Sequence, residues 1–412
     1  MGTTMKPPWA LKRGPGPGKE QMARFDGAPL DSRALWPQTG IALAAGEMLP
    51  ACATSECFSS GQESAAPVTA ESLDILAIGN AIVDVLARTD EQFLLAHGCH
   101  KGAMTLVDEV RAQAIYHAMG PGIEVSGGSA ANTAVGVAAF GGAAGFIGLV
   151  KADELGKVFA HDIRAAGVAY RTFAAEDGPG TGRCLVLVTP DGERTMNTYL
   201  GAAQNLGPSE IDPVVVQSAR VTYLEGYLWD PPEAKAAFLK AADIAHAAGR
   251  QVALSLSDAF CVERYRDEFL RLLRTGVVDL VFCNEAEVKS LYGTADVDTA
   301  LAALRVDARQ AVVTRGAQGA LHLTREAQVS VPAHRGTQVV DTTGAGDLFA
   351  AGVLFGLTHG VDPGAALRLG ALAAAEVISH FGARPQRDLK DLAQEAGLMP
   401  VPAMGQRHRD LV

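Results

Sequence analysis

From Leu73 onward the chain alternates two kinds of apolar pattern. Short, near-continuous apolar runs recur: "DILAIG", "AGFIGLV", "VTYLEG", "VALSLS", "VDLVFCN" and "QAVVTRG". Between them lie stretches with helical spacing: "SAANTAVGVAAFG", "ELGKVFAHDIRAAG", "PPEAKAAFLKAADIAHAAG" and "ERYRDEFLRLLRTG". Several of these end on glycine, the residue that most easily takes the left-handed conformation closing a helix. Strands that are apolar on both faces, alternating with helices, predict an α/β domain: a doubly wound, mainly parallel sheet covered by helices. Two stretches break the alternation. "GRCLVLVTPDGERTMNTYLG" reads as a hairpin turning at Pro190-Asp191-Gly192. "VAYRTFAAE" and "KGAMTLV" are further half-polar strands. Inserted at about 84–200, such strands predict a small lid sheet, or alternatively an extension of the main sheet's edge.

The first 72 residues differ in kind. "MKPPWALKRGPGPGKE" is Pro/Gly-rich and "ATSECFSSGQESAAPVTAES" is Ser/Ala/Thr-rich, without sustained periodicity. We expect a disordered extension there, a folded domain over 73–398, and a short tail over 399–412. The 412 residues are 48% hydrophobic, enough for a large core, and carry a formal charge of −11. No Lys/Arg-rich face suggests nucleic acid. No apolar run nears the roughly 18–20 residues of a membrane span. The six cysteines are scattered, with no C-x-x-C pair. That favours inert thiols in a reducing cytoplasm over disulfides or a zinc site. A monomer or homodimer acting on small molecules is the expectation.

Candidate chemistry sits in a few glycine-rich stretches. "RGPGPGKE" lacks the Ser/Thr and the strand–helix context of a phosphate loop. "VVDTTGAGDLFAAG" is more informative. Gly344, Ala345 and Gly346 open a helix, so their N–H groups and the helix dipole form an anion site. Asp347 adjoins it. A carboxylate beside an anion site is repulsive for binding alone, but suits a base that deprotonates a hydroxyl attacking a phosphate. "SGGSAANTA" places Gly127 and Gly128 before a helix that Ser129 can cap, with Asn132 one turn in. "VFCNEAEV" sets Asn284 and Glu287 three apart past the end of an apolar strand, where α/β folds bind ligands. "VVTRGAQGA" offers Thr314, Gly316 and Gly319 for phosphate contact.

Together and in this order, these segments resemble the ribokinase-like (PfkB) family of carbohydrate and nucleoside kinases. The carriers are "GGSAANTAVGVAAFGGAAGFIGLVKADELG" and "DTTGAGDLFAAGVLFGL". The resemblance covers roughly 73–398 and implies ATP and Mg²⁺ as donor and cofactor. It assigns Asp347 as general base, Gly344–Gly346 as anion hole, Asn284 and Glu287 to Mg²⁺ through water, and Thr314, Gly316 and Gly319 to ATP. Some members of the family use a monovalent cation such as K⁺, and Asp341 and "SHFGARP" are compatible with such a site. Within the family the chain is most similar to adenosine kinase-type members. Asn80 and Asp84 in "GNAIVDVLA" would hold a ribose diol, with Gly127, Gly128, Ser129 and Asn132 beside it and Tyr227 and Phe260 as walls for a planar base. Arg183 departs from that pattern. A cation there leaves open a ribose, fructose or 2-keto-3-deoxygluconate acceptor. A binding protein that has lost catalysis is a third alternative.

Overall fold

The computed structural model describes residues 72–399. The expectations for the N-terminal extension and the C-terminal tail concern residues outside that range. Strands run in chain order as β1 (Leu73–Ile78), β2 (Ile82–Arg88), β3 (Met104–Leu106), β4 (Gly122–Gly127), β5 (Ala144–Ile147), β6 (Ala169–Tyr170) and β7 (Thr181–Val188). They continue as β8 (Arg194–Gly201), β9 (Ala219–Glu225), β10 (Gln251–Ser255), β11 (Leu280–Asn284), β12 (Gln310–Thr314), β13 (Ala320–Thr324) and β14 (Gln328–Val331).

Nine strands form the main sheet, in the order β14-β13-β12-β11-β10-β9-β1-β5-β6. Pairing is parallel from β6 to β12, and β13 and β14 add an antiparallel edge. The parallel strands are apolar on both faces because helices cover both. Leu76, Ile78, Leu224, Leu254 and Val281 pack to one side, with helices Pro232–Ala247 and Ala259–Arg274. Ile75, Ala77, Tyr223, Ala253 and Phe282 pack to the other, with helices Ser129–Ala139 and Ala345–Thr358. Aspartates cap several helix starts. Asp153 accepts from the Gly156 N–H and Asp258 from the Cys261 N–H. Gly141, Gly167, Gly249 and Gly276 follow helix ends with positive φ, as the sequence predicts.

The second sheet is the lid, ordered β3-β8-β7-β2-β4. Its core is the predicted hairpin, β7 against β8, with Val188 opposite Arg194. One expectation needs correction. "VAYRTFAAE" does not join the lid. Its strand, β6, pairs in parallel with β5 at the main sheet's edge. Strand β1 ends at Ile78, where the chain passes closely over Glu225: a Cβ on Gly79 would sit 2.2 Å from the Glu225 carboxylate. Asn80 therefore lies in the crossover and Asp84 on the lid. No described helix is long and apolar enough to cross a membrane.

Candidate active site

A cavity of about 550 Å³ lies between the carboxyl ends of the parallel strands and the lid, within the range usual for small-ligand sites. It gathers Asn80, Asp84, Gly128, Ser129, Asn132, Tyr227, Phe260, Asn284, Glu287, Thr314, Gly344, Ala345, Gly346 and Asp347. Gly127 backs the wall, since a Cβ there would lie 2.4 Å from the Asp84 carboxyl carbon. Gly316 and Gly319 are not part of the lining. They shape the turn from β12 to the antiparallel β13. At Gly319, φ is +93° and a Cβ would meet the Val331 carbonyl at 2.0 Å.

Gly344 caps helix Ala345–Thr358 with φ +77°, a conformation that favours glycine. Helix geometry leaves first-turn N–H groups without intrahelical acceptors. Ala345 is the exception to the expected trio, because its N–H donates to the Thr342 carbonyl at 3.2 Å. Asp347 follows in the first turn. Its two carboxylate oxygens accept from the Ser129 hydroxyl (2.6 Å) and the Asn132 amide (2.9 Å). Ser129 and Asn132 thus hold Asp347 while also lining the cavity. Ser129 does not cap its helix. Gly128 holds the cap position with φ +97°. Burial raises the Asp347 carboxyl above the usual aspartate range, opposed by those two hydrogen bonds and the nearby Arg384 charge.

Asp84 is lifted to about 6, chiefly by burial, with Arg384 and Arg194 pulling down and Asp347 pushing up. Asn80 donates from its amide to Glu225 at 2.7 Å. Glu225 also accepts from the Ala130 N–H at 2.8 Å, and burial raises it to about 7. Sequence reasoning missed Glu225. The usable signal was its place at the end of apolar "VTYLEG", the position that singled out Asn284. Carboxyls shifted upward around one cleft are a frequent mark of function.

Asn284 and Glu287 form a reciprocal helix cap. The Asn284 side chain accepts from the Glu287 N–H (2.9 Å), and Glu287 accepts from the Asn284 N–H (3.0 Å). Glu287 is buried at the cavity wall and raised to about 7 by burial. Asp341 is buried too. Its carboxylate accepts from the Thr343 and Gly382 N–H groups, both at 3.0 Å, and pairs with Arg194 of the lid. Arg183 does not line the cavity. It points to the opposite lid face, stacking over Tyr116 at 5.5 Å, while its neighbour Cys184 faces inward.

A three-layered α/β domain with a β-lid, an anion-binding helix start and a buried aspartate beside it defines a ribokinase-like phosphotransferase. The chain belongs to the pfkB family of carbohydrate kinases, whose profile matches residues 122–389, and such kinases phosphorylate hydroxyl groups of sugars or nucleosides. It is similar to the adenosine kinase of Sinorhizobium meliloti, with 51% identity and a TM-score of 0.75 over 79% of this chain and all of that one. It is equally similar to a "probable sugar kinase protein" of Rhizobium etli CFN 42, with 51% identity and a TM-score of 0.76 over 80% of this chain and all of that one. Fructokinase-1 of Oryza sativa subsp. japonica is 29% identical over 238 residues, 56% of this chain and 73% of that protein.

Proposed function

We propose that the protein transfers the γ-phosphoryl group of ATP to the CH₂–OH of a nucleoside, foremost adenosine, giving AMP and ADP. Asp347 takes the hydroxyl proton as the oxygen attacks phosphorus and the bond to the ADP oxygen breaks. The N–H groups of Gly344 at the helix cap and Gly346 in the first turn then face the charge on the transferred group. Ser129 and Asn132 keep the base aimed. Asn284 and Glu287 would hold Mg²⁺ through its water shell, and Thr314 would contact the nucleotide. The described residues contain no group of three His, Cys, Asp or Glu able to bind a metal alone. Two oxygen-bearing side chains at the wall fit a Mg²⁺ that arrives with its nucleotide and keeps several waters. When bound, that ion neutralises charge on the β- and γ-phosphate oxygens.

The observation that carries the acceptor choice is the lid's inward face. Ile82, Met104, Leu106, Val186 and Met196 present an apolar surface over the cavity, with Asp84 the one carboxylate among the lid's lining residues. A nucleoside matches that division: a flat base against the lid and Phe260, and a ribose diol at Asp84 and Asn80. A sugar acid matches it poorly, since Asp84, Glu225, Asp258 and Glu287 all line the cavity, Arg183 faces away, and the lining cation Arg264 is already paired with Asp230. A free sugar is the second reading, favoured by the similarity to fructokinase. The test is ADP release with Mg²⁺-ATP over nucleosides, pentoses, hexoses and sugar acids. Turnover of adenosine above all others is expected. Preference for a hexose or sugar acid overturns the acceptor, and no turnover on any of them overturns the kinase reading in favour of a binding protein.

A further inference from the structure

Arg384, in the loop after helix Pro363–Val377, makes four hydrogen bonds to two separate parts of the molecule. Its Nε and Nη2 donate to the Ser126 carbonyl (3.0 and 2.5 Å), Nη2 also to the Ser126 hydroxyl (2.8 Å), and Nη1 to the Ala131 carbonyl (3.1 Å). Ser126 is anchored from the far side, donating through its N–H and its hydroxyl to Asp162 (2.8 and 2.6 Å). Ser126 belongs to the lid strand β4, and Ala131 to the first turn of helix Ser129–Ala139. Between them lie Gly127 and Gly128, where the lid joins the main domain. The guanidinium therefore bridges the two sides of the lid's root.

The helix turn it holds carries Ser129 and Asn132, the two donors to Asp347. The residues just before it reach the anion loop. Gly382 donates to Asp341 at 3.0 Å, and Ala383 packs so closely on Gly344 that a Cβ there would lie 2.8 Å from its Cα. Three consecutive residues thus touch the anion loop, the lid root and the turn that aims the base. Asp162, Asp84 and Asp347 surround the guanidinium with negative charge. The planar fork reaches the Ser126 and Ala131 carbonyls from different nitrogens, a spread and reach that the single nitrogen of a shorter lysine does not reproduce.

We infer that Arg384 is a positioning residue for phosphoryl transfer: it locks the lid root to the helix that orients Asp347, keeping Asp84 on the lid in register with Asp347 on the main domain. The kinetic part rests on the function proposed above. The coupling part does not, and the experiment separates them.

The full chain is compared as wild type, Arg384→Gln and Arg384→Lys by two measurements. The first is hydrogen exchange without ligand. Exchange over residues 122–132 should quicken at least about tenfold in both variants, the equivalent of losing roughly 1.4 kcal/mol of local protection. The central strands β9–β12 should stay unchanged. The second is steady-state kinetics on whichever acceptor the wild type turns over. The acceptor KM should rise by about tenfold or more while the ATP KM stays within about threefold, a split that a loss of folded enzyme does not produce. Lysine should fail to rescue, because the fork and not the charge is required. Wild-type exchange over 122–132 together with a wild-type acceptor KM in either variant overturns the inference. If Arg384→Gln shows no cooperative melting, Arg384→Lys decides by the same readings. A wild type without turnover on any acceptor defeats the proposed function, while the exchange result still decides the coupling.

Discussion

Arg194 of lid strand β8 pairs with Asp341 at the head of the anion loop and donates a second N–H to the Thr343 hydroxyl at 2.7 Å. The Arg194 side chain is 9% exposed, so the pair is shielded from salt. Asp341 was the residue from which a monovalent-cation site was expected, and here a side chain supplies the positive charge. Initial rates in K⁺, Na⁺ and choline buffers of equal ionic strength should therefore agree within about twofold, since no charge remains to be neutralised. A rise of tenfold or more in K⁺ alone would show that the ion still has a site of its own.

Asp347 is held by two donors, and removing the base should cost far more than removing either. Asp347→Asn keeps the shape and loses the proton acceptor, so kcat/KM should fall by at least about 10²-fold. Ser129→Ala leaves the Asn132 hydrogen bond in place, and a loss of about tenfold is expected, the scale of one hydrogen bond to a charged group. Steady-state kinetics on the purified variants checks both. An Asp347→Asn enzyme within tenfold of wild type would remove Asp347 from the role of base.

The layered sheet and the glycine turn could be read from sequence because both are local. Strands such as "DILAIG" need to be apolar on two faces, and "DTTGAGD" sets N–H groups and a carboxylate within one turn. What the sequence left unread depends on distant partners. Ser129 and Asn132 were legible as site residues, but they face Asp347 only because helix Ser129–Ala139 packs on helix Ala345–Thr358, so tightly that a Cβ on Gly136 would lie 2.6 Å from the Ala351 Cβ. Arg194 reads as a surface charge in a hairpin until the lid is laid over Asp341, 147 residues later. Arg384 and Ser126 are 258 residues apart. Arg183 misled for the opposite reason. One residue of register decides which face of a strand a side chain takes.

The raised Asp84 carboxyl predicts a pH signature in both activity and stability. Its folded value of about 6 exceeds the ordinary 3.8, so the native state holds this proton more tightly than the unfolded chain. Its contribution therefore favours the folded state at low pH and is lost as pH rises toward 6 and above. Binding a diol needs the carboxylate, so the acceptor KM should rise as pH falls through about 6 and level off above it. Asp84→Asn should abolish that limb while weakening acceptor binding. It should also melt at a higher temperature than wild type at pH 8, with the difference shrinking toward pH 4. A wild type that melts higher than Asp84→Asn at pH 8 would contradict the cost assigned to burying this charge.

Leu106 tests the acceptor from the lid side. It lies on β3, lines the cavity and is 49% exposed, so a polar replacement leaves the core intact. Burying a leucine-sized apolar surface against a ligand contributes about 1.5 kcal/mol or more, and a buried aspartate would add a desolvation cost. Leu106→Asp should raise the KM for adenosine by about tenfold or more, with the KM for ATP unchanged. It should do much less to any slow turnover of ribose, which has no base to reach the lid. Equal losses on adenosine and ribose would mean that Leu106 acts on lid closure as a whole. No loss on adenosine would mean that the base lies elsewhere than under the lid.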